Sequence, residues 1–399
     1  MKKFSRRLAA TLMAQALGLA ALAPLHSFAQ PADAAPAPRP TIVLVHGAFA
    51  DSSSWDGVVQ RLQARHYAVI SAANPLRGVH LERGDEVLVP AVCWSTSVWP
   101  IVQAGLSPIF VDVDPQTLNV SIDDLRRKLT PRTRAIMVVH VLGNPCDMEA
   151  IGAIAAERGL IVIEDTCESL GARSHGRAAG AIGDFGTYSF YYSHHMTTGE
   201  GGMVVCRTLE DADLLRCLRA HGWSRQLSNR ADVDAAHPDI DPRFVFVNLG
   251  YNVRATEVQA AIGSVQLGRL PLMNETRNAN RERIVAAMRA HPLWREQFHV
   301  TRADTAAEPA WFGLAMLLQN DRPLRDFLTS LTALGVENRP AISGNFCRQP
   351  AWTRLGYAID PTSFPGAETV HHRGFFIGIH SSSLTDEQVA TLADRLLRA

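Results

Sequence analysis

A carboxylate at a strand end and a histidine pair running into a glycine-rich turn are the residues of this chain best suited to chemistry. The apolar run Leu160-Ile161-Val162-Ile163-Glu164 predicts a strand that Asp165 ends. In an open α/β sheet the carboxyl ends of the strands are where ligands are met, so Asp165 is placed to hold a proton-bearing ligand atom. A strand-end Asp also commonly caps a following helix. Downstream the chain reads Ser189-Phe190-Tyr191-Tyr192-Ser193-His194-His195-Met196-Thr197-Thr198-Gly199-Glu200-Gly201-Gly202. A neutral imidazole near physiological pH accepts and returns a proton. A lone histidine is more often a satisfied core residue, but a His-His pair opening into Thr-Thr-Gly-Glu-Gly-Gly favours function.

The elements around these residues alternate. Apolar runs predict strands at Glu86 to Val89, Pro108 to Val113, Ala135 to Val141 and Leu160 to Glu164, with helical patterns at Ile122 to Leu129 and Met148 to Arg158 between them. Tyr188 to Tyr192 and Met203 to Arg207 add strands. Such alternation predicts an α/β fold, a mostly parallel sheet sandwiched by helices. Right-handed crossovers bring the functional loops to one edge of it. A smaller carboxyl-terminal α/β domain is expected over 271–399, opening with a helix from Asn274 to His291 and containing strands Trp311 to Leu318 and Phe375 to Ile379. Lys+Arg and Asp+Glu balance at 39 each, which argues against nucleic acid as a partner. The six cysteines are scattered without zinc or iron–sulfur spacing, and no metal site is expected.

The segments Glu164 to Glu168 and Ser189 to Gly202 resemble the DegT-type (DegT/DnrJ/StrS) sugar aminotransferases and dehydratases, and the resemblance runs from Gly84 to the carboxyl terminus. It implies fold type I of the pyridoxal-phosphate enzymes, with a large cofactor domain over 80–270. By motif position, Asp165 meets the pyridine nitrogen, Ser189 the phosphate, Trp94 stacks on the ring and Glu168 sits beside it in place of a glutamine. Asn252 reaches the phosphate of the partner subunit, which implies a homodimer with shared sites. His194 stands where the family keeps its Schiff-base lysine, with His195 as a neighbour that a one-residue shift would exchange for it. Imidazole cannot form that imine, and the only lysines are Lys2, Lys3 and Lys128. The resemblance therefore narrows to lysine-less 3-dehydratases of GDP- or CDP-linked 4-keto-6-deoxyhexoses in deoxysugar and polysaccharide biosynthesis. These hold pyridoxal 5'-phosphate or pyridoxamine 5'-phosphate without a covalent bond, and His194 would be the base. One branch of them carries an iron–sulfur cluster and has further cysteines downstream of the active-site segment. This chain has none between Cys217 and Cys347, so the branch that regenerates its amine from glutamate fits better.

The amino-terminal part departs from this pattern. Lys2, Lys3, Arg6 and Arg7 precede an apolar stretch and a small-residue site at Ser27-Phe28-Ala29, which predicts a signal peptide over 1–29 and no membrane span in the mature chain. An Ala/Pro linker follows over 30–40. The signal points to export, whereas the family chemistry is cytoplasmic. Residues 41–79 resemble an α/β-hydrolase opening, with a strand Thr41 to Val45, a His46-Gly47 oxyanion-type loop, a helix Trp55 to Arg65 and a strand Tyr67 to Ile70. No Gly-x-Ser-x-Gly elbow follows; Ala172-Arg173-Ser174-His175-Gly176 is only a near match. The family's Ser-Gly-Thr phosphate turn upstream of Gly84 is absent. A sugar aminotransferase, an inactive chimeric relic and, last, a hydrolase remain as other readings.

Overall fold

Unbroken apolar strands dictate a sheet covered on both faces, and the computed structural model, which describes residues 41–45, 68–70, 81–304 and 306–399, contains one. Its eight strands are β1 (Thr41–Val45), β2 (Ala68–Ile70), β3 (Glu86–Pro90), β4 (Ser107–Val111), β5 (Thr133–Val139), β6 (Ile161–Asp165), β9 (Phe185–Ser189) and β10 (Gly202–Cys206), in the order β2-β1-β10-β9-β6-β5-β3-β4. All run one way except β10, which is antiparallel to both β1 and β9. The strands Arg173–Ser174 (β7) and Arg177–Ala178 (β8) form a small ribbon with Ala307–Glu308 (β12).

Side chains alternate between the faces, so Val87, Val89, Met137 and Ile163 enter one core while Leu88, Ile136, Val138 and Val162 enter the other. Helix α1 (Ser95–Gln103) follows β3, α2 (Ile122–Lys128) follows β4 and α3 (Met148–Arg158) follows β5. Helix α2 is capped by Ser121, whose side chain accepts from Asp124 N, and carries acids in its first turn and bases in its last. Helix α3 starts at Asp147 and stops at Gly159 in the left-handed conformation (φ 63°). Helix α4 (Leu209–Arg219) follows β10.

The second sheet, β11-β13-β15-β14, is wholly antiparallel and consists of Phe298–Val300, Gly313–Leu318, Gly374–Gly378 and Arg339–Pro340. Its core gathers Phe298, Leu314, Met316, Phe327, Phe375 and Leu396 with residues from helices α5 (Glu257–Ala290), α6 (Leu324–Ala333) and α8 (Asp386–Arg398). Helix α7 (Pro365–Arg373) ties the sheets together, its first amides Gly366 N and Ala367 N donating to the buried Asp112 carboxylate at 2.8 Å each.

Two expectations change. The helix expected from Asn274 begins at Glu257, because Thr256 and Gln259 form a reciprocal capping box and the helix continues through Pro271. The expected domain boundary at 270 therefore falls inside α5. The strands of the segment that resembles a hydrolase do not stand apart. Thr41 to Val45 pair residue by residue with Cys206 to Gly202, and β2 pairs with β1. The expected oxyanion-type loop and the helix Trp55 to Arg65 lie outside the described residues, as do the signal peptide and linker.

Candidate active site

Because β1, β3, β6 and β9 share a direction, their carboxyl ends open on one edge, and most of the residues singled out in the sequence are found there. Asp165 is the last residue of β6 and is 9% exposed. Its Oδ2 accepts a hydrogen bond from Ser97 Oγ at 2.6 Å, and its Oδ1 accepts from Cys167 N at 3.1 Å. The preceding carboxylate, Glu164, points the other way into the core. It accepts from Gly180 N and Ile182 N at 2.7 Å, from Gly183 N, and faces His140 Nε2 at 3.1 Å. Cys146 N donates to His140 Nδ1 at 3.0 Å, which leaves Nε2 to carry the proton shared with Glu164. Glu164 is thereby committed to structure and Asp165 to the edge.

Trp94 is the N-cap residue of α1 and leaves 59% of its surface exposed. Glu168 turns its carboxyl inward to accept from Leu142 N at 3.2 Å. Burial, and to a smaller degree the Asp165 charge, push its pKa up to about 7, against the pull of the Leu142 amide. Ser189 ends β9, opposite Gly202, and its Oγ accepts from Tyr191 N at 3.1 Å.

The loop between β9 and β10 is closed by its own backbone, with Phe190 N donating to Gly201 O at 2.8 Å and Thr198 N to Phe190 O at 2.9 Å. Gly201 sits at φ 155°, where an added Cβ would come within 2.4 Å of Thr198 Oγ1, so the closure requires glycine. This loop carries two neighbouring imidazoles, both packed against Phe312 at 5.6 Å. The part-exposed His194 is flanked edge-on by Tyr191 and Phe312 at 5.8 and 5.6 Å, and its buried Nδ1 has no hydrogen-bond partner. Burial lowers its pKa, partly offset by Asp165, whose carboxylate is near enough to act on it. The imidazole is therefore neutral at neutral pH.

His195, also singled out as catalytic, is placed elsewhere. It is fully buried, and its Nε2 lies 2.7 Å from Ala310 O, which fixes it as the donor to a segment leading into the small sheet. Burial pushes its pKa down to about 3, with Arg277 and His194 acting in the same direction and the Ala310 carbonyl opposing. Its ring has no exposed surface, and its Nδ1 has no hydrogen-bond partner. Asn252 is exposed, lies on a segment bridged to Ala220, and makes no hydrogen bond to Asp165, Ser189 or His194 of its own chain among the described residues.

Two contributors, Ser97 and Phe312, escaped the sequence reading. Ser97 binds Asp165 from 68 residues away. Phe312 flanks His194 from the small-domain side, its own amide donating to Leu142 O at 3.0 Å. Ser343 Oγ donates to Cys93 O at 2.7 Å, so the Ser343 to Phe346 loop braces the turn carrying Trp94. A hydroxyl one helical turn after Trp94 was the only available signal, and nothing in sequence spacing links it to Asp165. Among the described residues no group of three or more His, Cys, Asp or Glu could hold a metal.

An acid at one end, an exposed indole face, a serine hydroxyl and an imidazole with an unpartnered buried nitrogen fit a substituted pyridine bearing a phosphate. Apart from Lys2 and Lys3 the chain has one lysine, Lys128, which extends over the Phe364 ring at 5.1 Å. The model of the DegT/DnrJ/EryC1/StrS aminotransferase family matches residues 71–397. The chain is 38% identical over 311 residues to GDP-4-keto-6-deoxy-D-mannose 3-dehydratase of Yersinia pseudotuberculosis, covering 77% of each chain. It is 32% identical over 328 residues to GDP-perosamine synthase of Escherichia coli O157:H7, covering 80% of each. Among solved structures it is similar to the E. coli GDP-4-keto-6-deoxy-D-mannose-3-dehydratase with bound hydrated PLP, with a TM-score of 0.75, 30% identity, and coverage of 90% of this chain and 100% of that one. Another GDP-4-keto-6-deoxymannose-3-dehydratase structure, with a trapped PLP-glutamate geminal diamine, has a TM-score of 0.74 at 31% identity and is covered over 88% of this chain and 99% of that one.

Proposed function

Because this chain belongs to the DegT/DnrJ/EryC1/StrS aminotransferase family, whose fold type I architecture and pyridoxal-phosphate dependence it shares, we propose that it removes the 3-hydroxyl of a nucleotide-linked 4-keto-6-deoxy sugar. Glutamate is its amino donor. The observation that carries this reading is His194, a neutral imidazole with an unpartnered nitrogen where a transaminase needs an amine, in a chain whose remaining lysine is engaged elsewhere.

When bound, the cofactor supplies an amine to engage the keto carbon and a conjugated ring to take up electrons. Asp165 holds a proton on the ring nitrogen, which strengthens that electron sink. Trp94 covers one face of the ring, and Ser189 offers its hydroxyl to the phosphate. Glu168, whose carboxyl keeps its proton up to about pH 7, donates a hydrogen bond beside the ring. His194 would serve as the base that accepts and returns a proton at the bound cofactor, and Phe312 would keep water from that side.

The site is shared between two copies. Leu249, Val258 and Leu272 are 75%, 69% and 68% exposed. Val258, Ile262, Val265 and Leu272 line one face of α5, too apolar to remain in water. A second copy seated there covers this face and brings its Asn252 segment to the site.

The test is incubation of the purified chain with GDP-4-keto-6-deoxymannose, pyridoxal phosphate and glutamate. A 3-deoxy product is expected. A 4-amino product would replace dehydration by transamination, and failure to retain either form of the cofactor would overturn the reading.

A further inference from the structure

We propose that Ser97 is a positioning residue that aims the Asp165 carboxylate at the ring nitrogen; this rests on the cofactor reading above. Ser97 lies in the first turn of α1, its amide donating to Trp94 O at 3.1 Å, and is 2% exposed. Its hydroxyl donates to Asp165 Oδ2 at 2.6 Å while Cys167 N donates to Oδ1 at 3.1 Å.

Ser97 on Oδ2, with the Cys167 amide on Oδ1 and the Cys167 thiol beside the carboxylate, fixes both its plane and its torsion. The acid is thereby presented to a ligand in one orientation only. Cys167 is local to Asp165 and moves with it. Ser97 is not, and it is anchored independently: Phe346 N donates to Ala91 O at 2.7 Å and Ser343 Oγ to Cys93 O at 2.7 Å, pinning the turn between β3 and α1. One helical turn thus carries Trp94, placed to cover a ring face, and Ser97, which sets the acid at the ring's end. The two contacts a planar ligand would make are held at a fixed offset by the same backbone.

The experiment is a double-mutant cycle read by cofactor dissociation constants. In the otherwise native protein, Ser97→Ala should weaken pyridoxal-phosphate and pyridoxamine-phosphate binding about tenfold, the effect of losing a hydrogen bond to a charged group. Ser97→Thr, which keeps the hydroxyl, should stay within about threefold. In an Asp165→Asn background Ser97→Ala should change affinity by less than about twofold, because the group it acts through is gone. Equal losses in both backgrounds would make Ser97 a packing residue, and no loss in the native background would remove the role altogether. A crystal structure of the cofactor-free Ser97→Ala variant decides the matter without any ligand. A turned Asp165 carboxylate is expected, and an unchanged one overturns the inference. If the native chain binds neither cofactor form, the proposed function fails while this structural arm still judges Ser97.

Discussion

The mouth of the proposed site and the seam between the two sheets each hold one imidazole of the His194-His195 pair, and adjacent residues thereby acquire different surroundings. At the mouth, His194 retains some exposure and feels Asp165. At the seam, His195 has no exposure and is committed to Ala310 O. The segment it binds passes so close to Gly143 that an added Cβ there would lie 2.0 Å from Ala310 O, and Ala310 N donates back to Gly143 O at 3.0 Å. Residue type does not separate the two imidazoles here. Burial does, since one ring is part-exposed and the other has no exposed surface.

The largest effect should come from the mouth. His194→Asn removes the proton carrier and should lower turnover by about 10²- to 10⁴-fold. The thermal midpoint should stay within a few degrees, read by steady-state kinetics beside calorimetry. The reverse pattern, intact turnover with a lower midpoint, would exchange the roles of the two histidines.

At the seam, the effect should be on acid stability. The folded-state pKa of His195, about 3, lies below the unfolded value of about 6.5, so the unfolded chain binds the extra proton in between. Stability conferred by the neutral ring is present above about pH 6.5 and is lost as pH falls toward 3, by about 1.4 kcal/mol per pH unit within that window. His195→Gln should flatten this part of a urea-unfolding series between pH 4 and 6.5, and an unchanged slope would mean the ring is not buried neutral.

Glu168 sharpens the contrast with the opposite sign and the smallest effect. Its folded-state pKa, raised to about 7, means that the native chain holds the extra proton, so its carboxyl costs stability as pH rises from about 4.5 through 7. Glu168→Gln should gain stability relative to the native chain above pH 7 and little below pH 5, measured by the same unfolding series.

Much of the site was legible because it is local. Asp165 follows directly from an apolar strand, and Ser189 and His194 lie in one contiguous loop. The choice of His194 over His195 came from motif spacing, and the two rings differ in burial. The start of α5 was missed because the signal that starts the helix, the Thr256–Gln259 box, lies well before the run expected from Asn274.

Local chemistry written in order along the chain, strand periodicity, end caps and the acid and imidazole beside them, was set by sequence alone, since it depends only on neighbours within a few residues. Tertiary structure alone decided that Thr41 to Val45 would pair beside β10, that Ser97 would grip Asp165, that Phe312 would pack against both histidines and that Ala310 would claim His195. These contacts join residues far apart in the chain, and they form only when buried polar groups with no water available must find partners across packed elements.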